Sequence, residues 1–282
     1  MVEDIFFPFL HVFTIIGDDI NNGIHVGGII LRKELLFAFT AFFFMSLSAI
    51  TGAYALENEE QEKILLEEQK DLNGDGKMEN MTLVGISSED EDNFYKKLTI
   101  QVSDEKETTA DITMDGGYNP SLELYDLDGD KQEEMFLTIS DNERNSRKRY
   151  QLFDYNGTEI KEVAIPELPV MTSSFKEDYK AELVIEGLKT YNFDLYERKN
   201  TYEQLGLYQN GHLNESTELI ISPFTSLKPS RYKQKFALEG KQIISGIAAV
   251  DKIAYLETVW TSKKDGWKLE KFKVKEISSK TK

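Results

Sequence analysis

The chain of 282 residues sets 33 Lys and Arg against 50 Asp and Glu, for a formal charge of −17, and it has three histidines and no cysteine. Lack of cysteine excludes a disulfide framework, a thiolate zinc site, iron–sulfur ligation and a cysteine nucleophile. The acidic balance argues against a dedicated nucleic-acid binder, which needs clustered cations to neutralise phosphate. With 40% apolar residues and 11% aromatics, there is enough for a packed core of one or two domains.

Residues 1–30 hold Glu3, Asp4, Asp18 and Asp19 but no Lys or Arg, which does not suit the opening of an export signal. They are expected to be an upstream translated stretch or an unstructured extension. Gly27-Gly28-Ile29-Ile30-Leu31 is what a purine-rich ribosome-binding site, a short spacer and a TTG start codon would spell if translated. From Arg32 and Lys33 the chain enters an apolar run over 35–50 that ends in Thr51-Gly52-Ala53-Tyr54-Ala55. A basic start, an apolar core and a small-x-small end predict a signal peptide over 31–55, cleaved after Ala55. The alternative is an uncleaved anchor, since the apolar reach is close to a bilayer span. Either way the remainder faces the outside, secreted or at the extracellular surface, and the membrane is touched only through this segment. With no cysteine at the cut, a lipoprotein anchor is excluded.

The remainder, 56–282, stands near −14 once the five acids and two bases of residues 1–55 are removed. Its strongest signal is a pair of acidic loops. Asp71-Leu72-Asn73-Gly74-Asp75-Gly76-Lys77-Met78-Glu79 and Asp126-Leu127-Asp128-Gly129-Asp130-Lys131-Gln132-Glu133-Glu134 begin 55 residues apart, and each leads into a strand-like run. The hairpin signals Asn156-Gly157, Asn210-Gly211 and Asp265-Gly266 follow each other at 54 and 55 residues. Counting back one period reaches Ser103-Asp104-Glu105; counting forward from the loops reaches 177–179 and 230–232, where the acidic pattern has decayed. Strands are predicted over 97–102, 109–113, 148–153, 181–185 and 253–260. Only 59–69 is helix-compatible, and it serves equally well as a lead-in strand. Gly116-Gly117 reads as a turn. These features predict an all-β, propeller-like repeat domain of about four units of roughly 54 residues over 56–282.

Alternating acids on a tight loop converge on one point, which suits the hard-oxygen coordination of calcium. The predicted ligands are Asp71, Asn73, Asp75, the Lys77 carbonyl and Glu79 in the first loop. In the second they are Asp126, Asp128, Asp130, the Gln132 carbonyl and Glu134. An EF-hand would need an acid at position 12 and a following helix, whereas Thr82 and Leu137 stand there within β-type runs. Gly76 suits a sharp turn; Lys131 in its place predicts strain of about 1 kcal/mol. A solvated acidic turn without metal is the bland alternative for both loops.

Residues 71–84 together with 116–130 resemble the secreted VCBS/FG-GAP-type repeat proteins of Gram-positive, spore-forming bacteria, related to the integrin-α N-terminal propeller. The resemblance spans 64–165. It is weaker over 178–275, where 205–207, Thr258-Val259-Trp260 and Trp267 resemble closing strands. Residues 141–148 replace a Gly/Ser-rich turn, and the third loop has decayed to Ser230-Arg231-Tyr232-Lys233-Gln234. The resemblance implies a calcium-stabilised extracellular β-protein with no assigned catalysis.

Of the histidines, only His212 follows the predicted cut, and it sits at a hairpin, the setting of an exposed side chain rather than a triad member. No phosphate-binding glycine loop is present. Residues 263–282 reverse the overall charge, with eight Lys against Asp265, Glu270 and Glu276. That patch suits anionic wall polymers, or else is the wet face of a closing strand. The expected role is a non-catalytic binding or structural module whose partners are Ca²⁺ and wall polymers or surface proteins, with no nucleic acid. An extracellular hydrolase of wall or glycan material is the alternative.

Overall fold

Apolar and polar residues alternate along most of 62–276, and this period of two makes the protein a set of antiparallel strands. The structure, a computed structural model, describes residues 25–26, 29–30, 61–87, 91–104, 108–144 and 147–277. The chain divides into two compact units, Met1–Glu59 and Glu60–Lys282. In the first, β1 (His25–Val26) pairs antiparallel with β2 (Ile29–Ile30). The signal peptide expected at 31–55 and most of the 1–30 stretch lie outside the described residues.

Among the described residues, the second unit is all-β apart from one short helical segment. β3 (Glu62–Lys70), β4 (Glu79–Ser87), β5 (Phe94–Ser103), β6 (Thr108–Tyr125), β7 (Glu134–Ser140), β8 (Lys148–Tyr155) and β9 (Ile160–Val163) form a seven-stranded antiparallel meander in chain order. Burial follows the pleat: in β4, Glu79, Met81, Leu83 and Gly85 point inward while Asn80, Thr82 and Val84 are half-exposed. Inward residues from both ends of the meander, among them Leu83, Ile100, Leu137 and Phe153, form one cluster, so the sheet curls over itself.

The corner lies in β6. Gly116 and Gly117 do not make the expected turn; they stay inside an 18-residue strand that carries a register shift between Tyr118 and Ser121. A side chain at Gly116 would meet the Tyr95 carbonyl oxygen at 1.9 Å, so only glycine permits this close approach. Because β6 pairs with β5 at one end and β7 at the other, the first two predicted units share one sheet. Separate blades are not formed there, and among the described residues no ring of blades closes.

β10 (Met171–Lys176), β11 (Lys180–Ile185) and β12 (Lys189–Asp194) make a three-stranded meander. A 3-10 turn, Tyr196–Arg198, leads into α1 (Lys199–Gln204), followed by the small hairpin of β13 (Tyr208–Gln209) and β14 (His212–Leu213). The helix falls here and not at 59–69, where β3 runs instead. Six residues with only Tyr202 buried are too short to show a helical period in sequence. A five-stranded sheet completes the unit. β16 (Ser226–Tyr232), β17 (Lys235–Ser245), β18 (Lys252–Lys263) and β19 (Gly266–Glu276) follow in order, and β15 (Ile220–Ile221) pairs with the far end of β17.

β7 is buried on both faces, and that fixes how the sheets pack. Met135, Leu137 and Ile139 enter the core of the curled sheet, whereas Phe136 joins Leu127 and Leu152 against Phe224, Leu227, Leu238 and Trp260 of the C-terminal part. A near-continuous apolar run is what a doubly covered strand requires. A third cluster fills the space around α1, with Phe175, Leu183, Tyr202 and Tyr208 against Ile244 and Leu256.

Candidate metal centre

The two acidic loops are arches of the same design, each joining two sequential strands of the curled sheet. In the first, the Gly74 and Gly76 N–H groups donate to Asp71 Oδ1 and Oδ2 (2.8 and 3.0 Å). The Asp75 N–H donates to Asn73 Oδ1 (2.9 Å) and the Lys77 N–H to Asp75 Oδ1 (2.8 Å). In the second, the Gly129 N–H donates to Asp126 Oδ1 (2.7 Å), the Asp130 N–H to Asp128 Oδ1 (3.0 Å) and the Gln132 N–H to Asp130 Oδ1 (2.7 Å). Short acids and amides suit this role because their oxygens reach backbone amides two or three residues on.

The carboxylate at position 9 closes both arches from beneath. Glu79 and Glu134 are 5% and 8% exposed. Glu79 Oε2 accepts from the Leu72 N–H (2.8 Å), and Glu134 Oε2 accepts from the Leu127 N–H (2.7 Å). Leu72 and Leu127 are themselves buried, so each arch is pinned at its second and ninth residues. The carboxylate oxygens of Asp126, Asp128 and Asp130 lie within 4.8 Å of one another; Glu134 is outside that group and anchors the arch through the Leu127 N–H. Burial, then the carboxylates of Asp128 and Asp130, push Glu134 up to about 7, against the pull of the Leu127 amide. Burial also raises Asp128, and its neighbours Asp130 and Asp126 add to this. Three hard-oxygen donors converging beside a buried fourth carboxylate fit a hard divalent cation.

The loops differ at one backbone position. Gly76 has φ 87° and Lys131 has φ 79°, so the lysine is held in the left-handed region that sequence reasoning foresaw. They also touch. Lys70, at the end of β3, pairs with Glu133 at 3.1 Å, and the Gln132 side chain packs over Gly74. The Asn156-Gly157 turn lies against Asn73, which places three of the predicted period markers at one end of the sheet.

The positions reached by counting forward from the loops hold other structures. Glu177, Asp178 and Tyr179 form the tight turn between β10 and β11, with Asp178 and Tyr179 at φ 58° and 55°. Residues 230–232 end β16 before the turn at Lys233. His212 is exposed beside Glu177, with Nδ1 3.4 Å from Oε2. Asp141 pairs with Arg149 at 2.7 Å and braces the β7–β8 hairpin.

Two features escaped the sequence. Asp251 accepts from Arg198 Nε (2.9 Å) and from the Tyr202 hydroxyl (2.6 Å), tying α1 to the β17–β18 turn. Burial and the Asp251 carboxylate push Tyr202 far up, so it stays a hydroxyl donor. No local pattern announces contacts across about fifty residues. The lysines of β19 are joined on one sheet face by Lys228 and Lys241 from β16 and β17; the alternation of Lys271, Lys273 and Lys275 could have signalled the first three.

Residues 169–275 match the family described as YybI C-terminal domain. The chain is also 22% identical over 206 residues to the protein named "Uncharacterized protein YybI" of Bacillus subtilis (strain 168), covering 70% of this chain and 78% of that protein. No solved structure matches the chain. The family match starts after β9 and ends within β19, so it coincides with the C-terminal sheets and leaves out both acidic loops.

Proposed function

We propose that this is an exported, non-catalytic, calcium-stabilised β-repeat protein that acts as a binding or structural module of the cell surface or extracellular space, with calcium held at its acidic loops. The observation that carries the reading is the likeness of the two arches: 55 residues apart, with three side-chain-to-amide bonds in common, from positions 4, 5 and 7 to the side chains at 1, 3 and 5, and the same buried glutamate anchor. Asp71, Asn73, Asp75 and Glu79 in the first loop, and Asp126, Asp128, Asp130 and Glu134 in the second, would hold the cation, with the Lys77 and Gln132 carbonyls completing each set. Calcium supplies charge neutralisation and rigidity there, and no chemical step.

The repeat belongs to the same proposal. β3, β4, β5 and the first half of β6 correspond to the second half of β6, β7, β8 and β9 at an offset of 55, and β16 to β19 form another four-stranded meander. About four copies of a four-strand unit, the third remodelled around α1, account for this series. The likeness to VCBS/FG-GAP-type proteins and export through residues 31–55 stand with it. For the hydrolase alternative, the telling feature is a cleft with two carboxylates remote from the loops. Glu239 and Glu257 share such a trough, but lysines surround them and Glu257 is paired with Lys275 at 2.6 Å.

Thermal melting of the full chain with calcium, with magnesium and with chelator tests the reading. Calcium is expected to raise the midpoint, by the equivalent of about 2.7 kcal/mol at a hundredfold excess over Kd, and Asp126→Asn with Asp128→Asn to remove much of that gain. A midpoint indifferent to all three conditions overturns the calcium assignment.

A further inference from the structure

The outer face of the C-terminal sheet carries an ordered field of lysines on a strongly acidic protein. Strand register sets it out. Lys228 of β16 stands opposite Glu239 of β17, which stands opposite Val259 of β18, and Val259 opposite Lys271 of β19. One step along, Lys241 is opposite Glu257, and Glu257 opposite Lys273. Another step brings Tyr255 opposite Lys275. Apart from Tyr255, these side chains line an open trough of about 400 Å³. Five lysines against two glutamates leave three positive charges in excess on this face, while the whole chain carries −17.

Not all of these lysines are engaged. Lys275 is paired with Glu257, and Lys241 lies over the Tyr255 ring, 3.8 Å from its centre. Lys228, Lys271 and Lys273 are exposed and take part in no ion pair among the described residues. A field of free cations on an anionic protein focuses the approach of a negatively charged partner.

From this arrangement we infer that the trough binds a linear polyol phosphodiester chain, of the glycerol phosphate kind, laid along β19. Side chains on one face of a strand recur every two residues, about 6.8 Å, so the unpaired Lys271 and Lys273 stand at that interval, with Lys275, paired to Glu257, next in the row. An extended glycerol phosphodiester repeats its negative charge over a comparable distance, whereas a polyuronate or polyglutamate places its charges closer together. Lysine suits the task because it meets phosphate as a point charge without demanding one fixed geometry. Single-stranded nucleic acid has a similar phosphate spacing, but it is held by bases stacked on exposed aromatics. The residues lining the trough include no aromatic, and Tyr255 beside it is covered by Lys241. The inference names the partner class for the binding role proposed above, and it rests on that role and not on calcium.

Titration calorimetry of the full chain with a synthetic poly(glycerol phosphate) oligomer tests it, run with calcium and again with chelator. A polygalacturonate and a single-stranded oligonucleotide of equal charge serve as comparisons. The phosphodiester oligomer is expected to bind in both conditions, to weaken as salt rises, and to lose roughly tenfold or more in affinity in the K228Q/K271Q/K273Q variant. These side chains are exposed, so that variant is expected to melt with its parent, and free glycerol phosphate is expected not to compete at equal charge. No binding by the parent, undiminished binding by the variant, or equal or tighter binding of either comparison polymer overturns the inference. Because the lysine face contains none of the loop residues, a failed titration leaves the calcium melt standing, and the reverse holds as well.

Discussion

At residue 131 a lysine does what glycine does at residue 76. Both backbones sit near φ 80–90°, and the side chain at Lys131 costs about 1 kcal/mol that Gly76 avoids. Lys131→Gly is therefore expected to raise stability by about 1 kcal/mol, read as a shift in urea midpoint, and Gly76→Lys to lower it by a similar amount. A second residue-scale prediction concerns Asp251. Its partner Arg198 is 17% exposed and Asp251 itself 20%, so deletion of the carboxylate strands a mostly buried guanidinium and the Tyr202 hydroxyl. Asp251→Ala is expected to cost about 2–3 kcal/mol in a denaturant melt, and Asp251→Asn less, because the amide oxygen still accepts a hydrogen bond.

The elements most legible in the sequence were those with local causes. Strands at 97–102, 148–153, 181–185 and 253–260 fall inside β5, β8, β11 and β18, because alternation registers burial directly. The Asn156-Gly157, Asn210-Gly211 and Asp265-Gly266 turns all join paired strands; Asn210 and Gly211 both adopt positive φ, as the hairpin geometry demands. The arches too were legible, down to the contrast between Gly76 and Lys131. What stayed hidden depends on partners far along the chain. Gly116-Gly117 looks like a turn in isolation, and only the approach of Tyr95 shows why the strand continues through it. The glutamates at position 9 read as metal ligands like the rest, but their burial beneath the arches comes from packing of Leu72 and Leu127, which a spacing pattern does not encode.

On the scale of the whole molecule, Phe136, Leu152 and Leu127 hold the curled sheet to Phe224, Leu238 and Trp260. The part with acidic loops and the part that matches the YybI C-terminal domain family thus share one core. The hydrogen bond from Trp267 Nε1 to the Ala164 carbonyl, 2.7 Å, fastens the same seam from its rim. The outer rims of the curled sheet have a separate consequence. β3 presents Glu62, Lys63, Glu67 and Glu68 and is broken by a bulge between Ile64 and Leu66, while β9 is only four residues long. An open rim is a template on which further copies can stack into fibrils, and charge, irregularity and shortness each deny that template. Glu67→Val with Glu68→Val is expected to leave the native fold intact and yet give thioflavin-positive aggregates at concentrations where the parent remains clear.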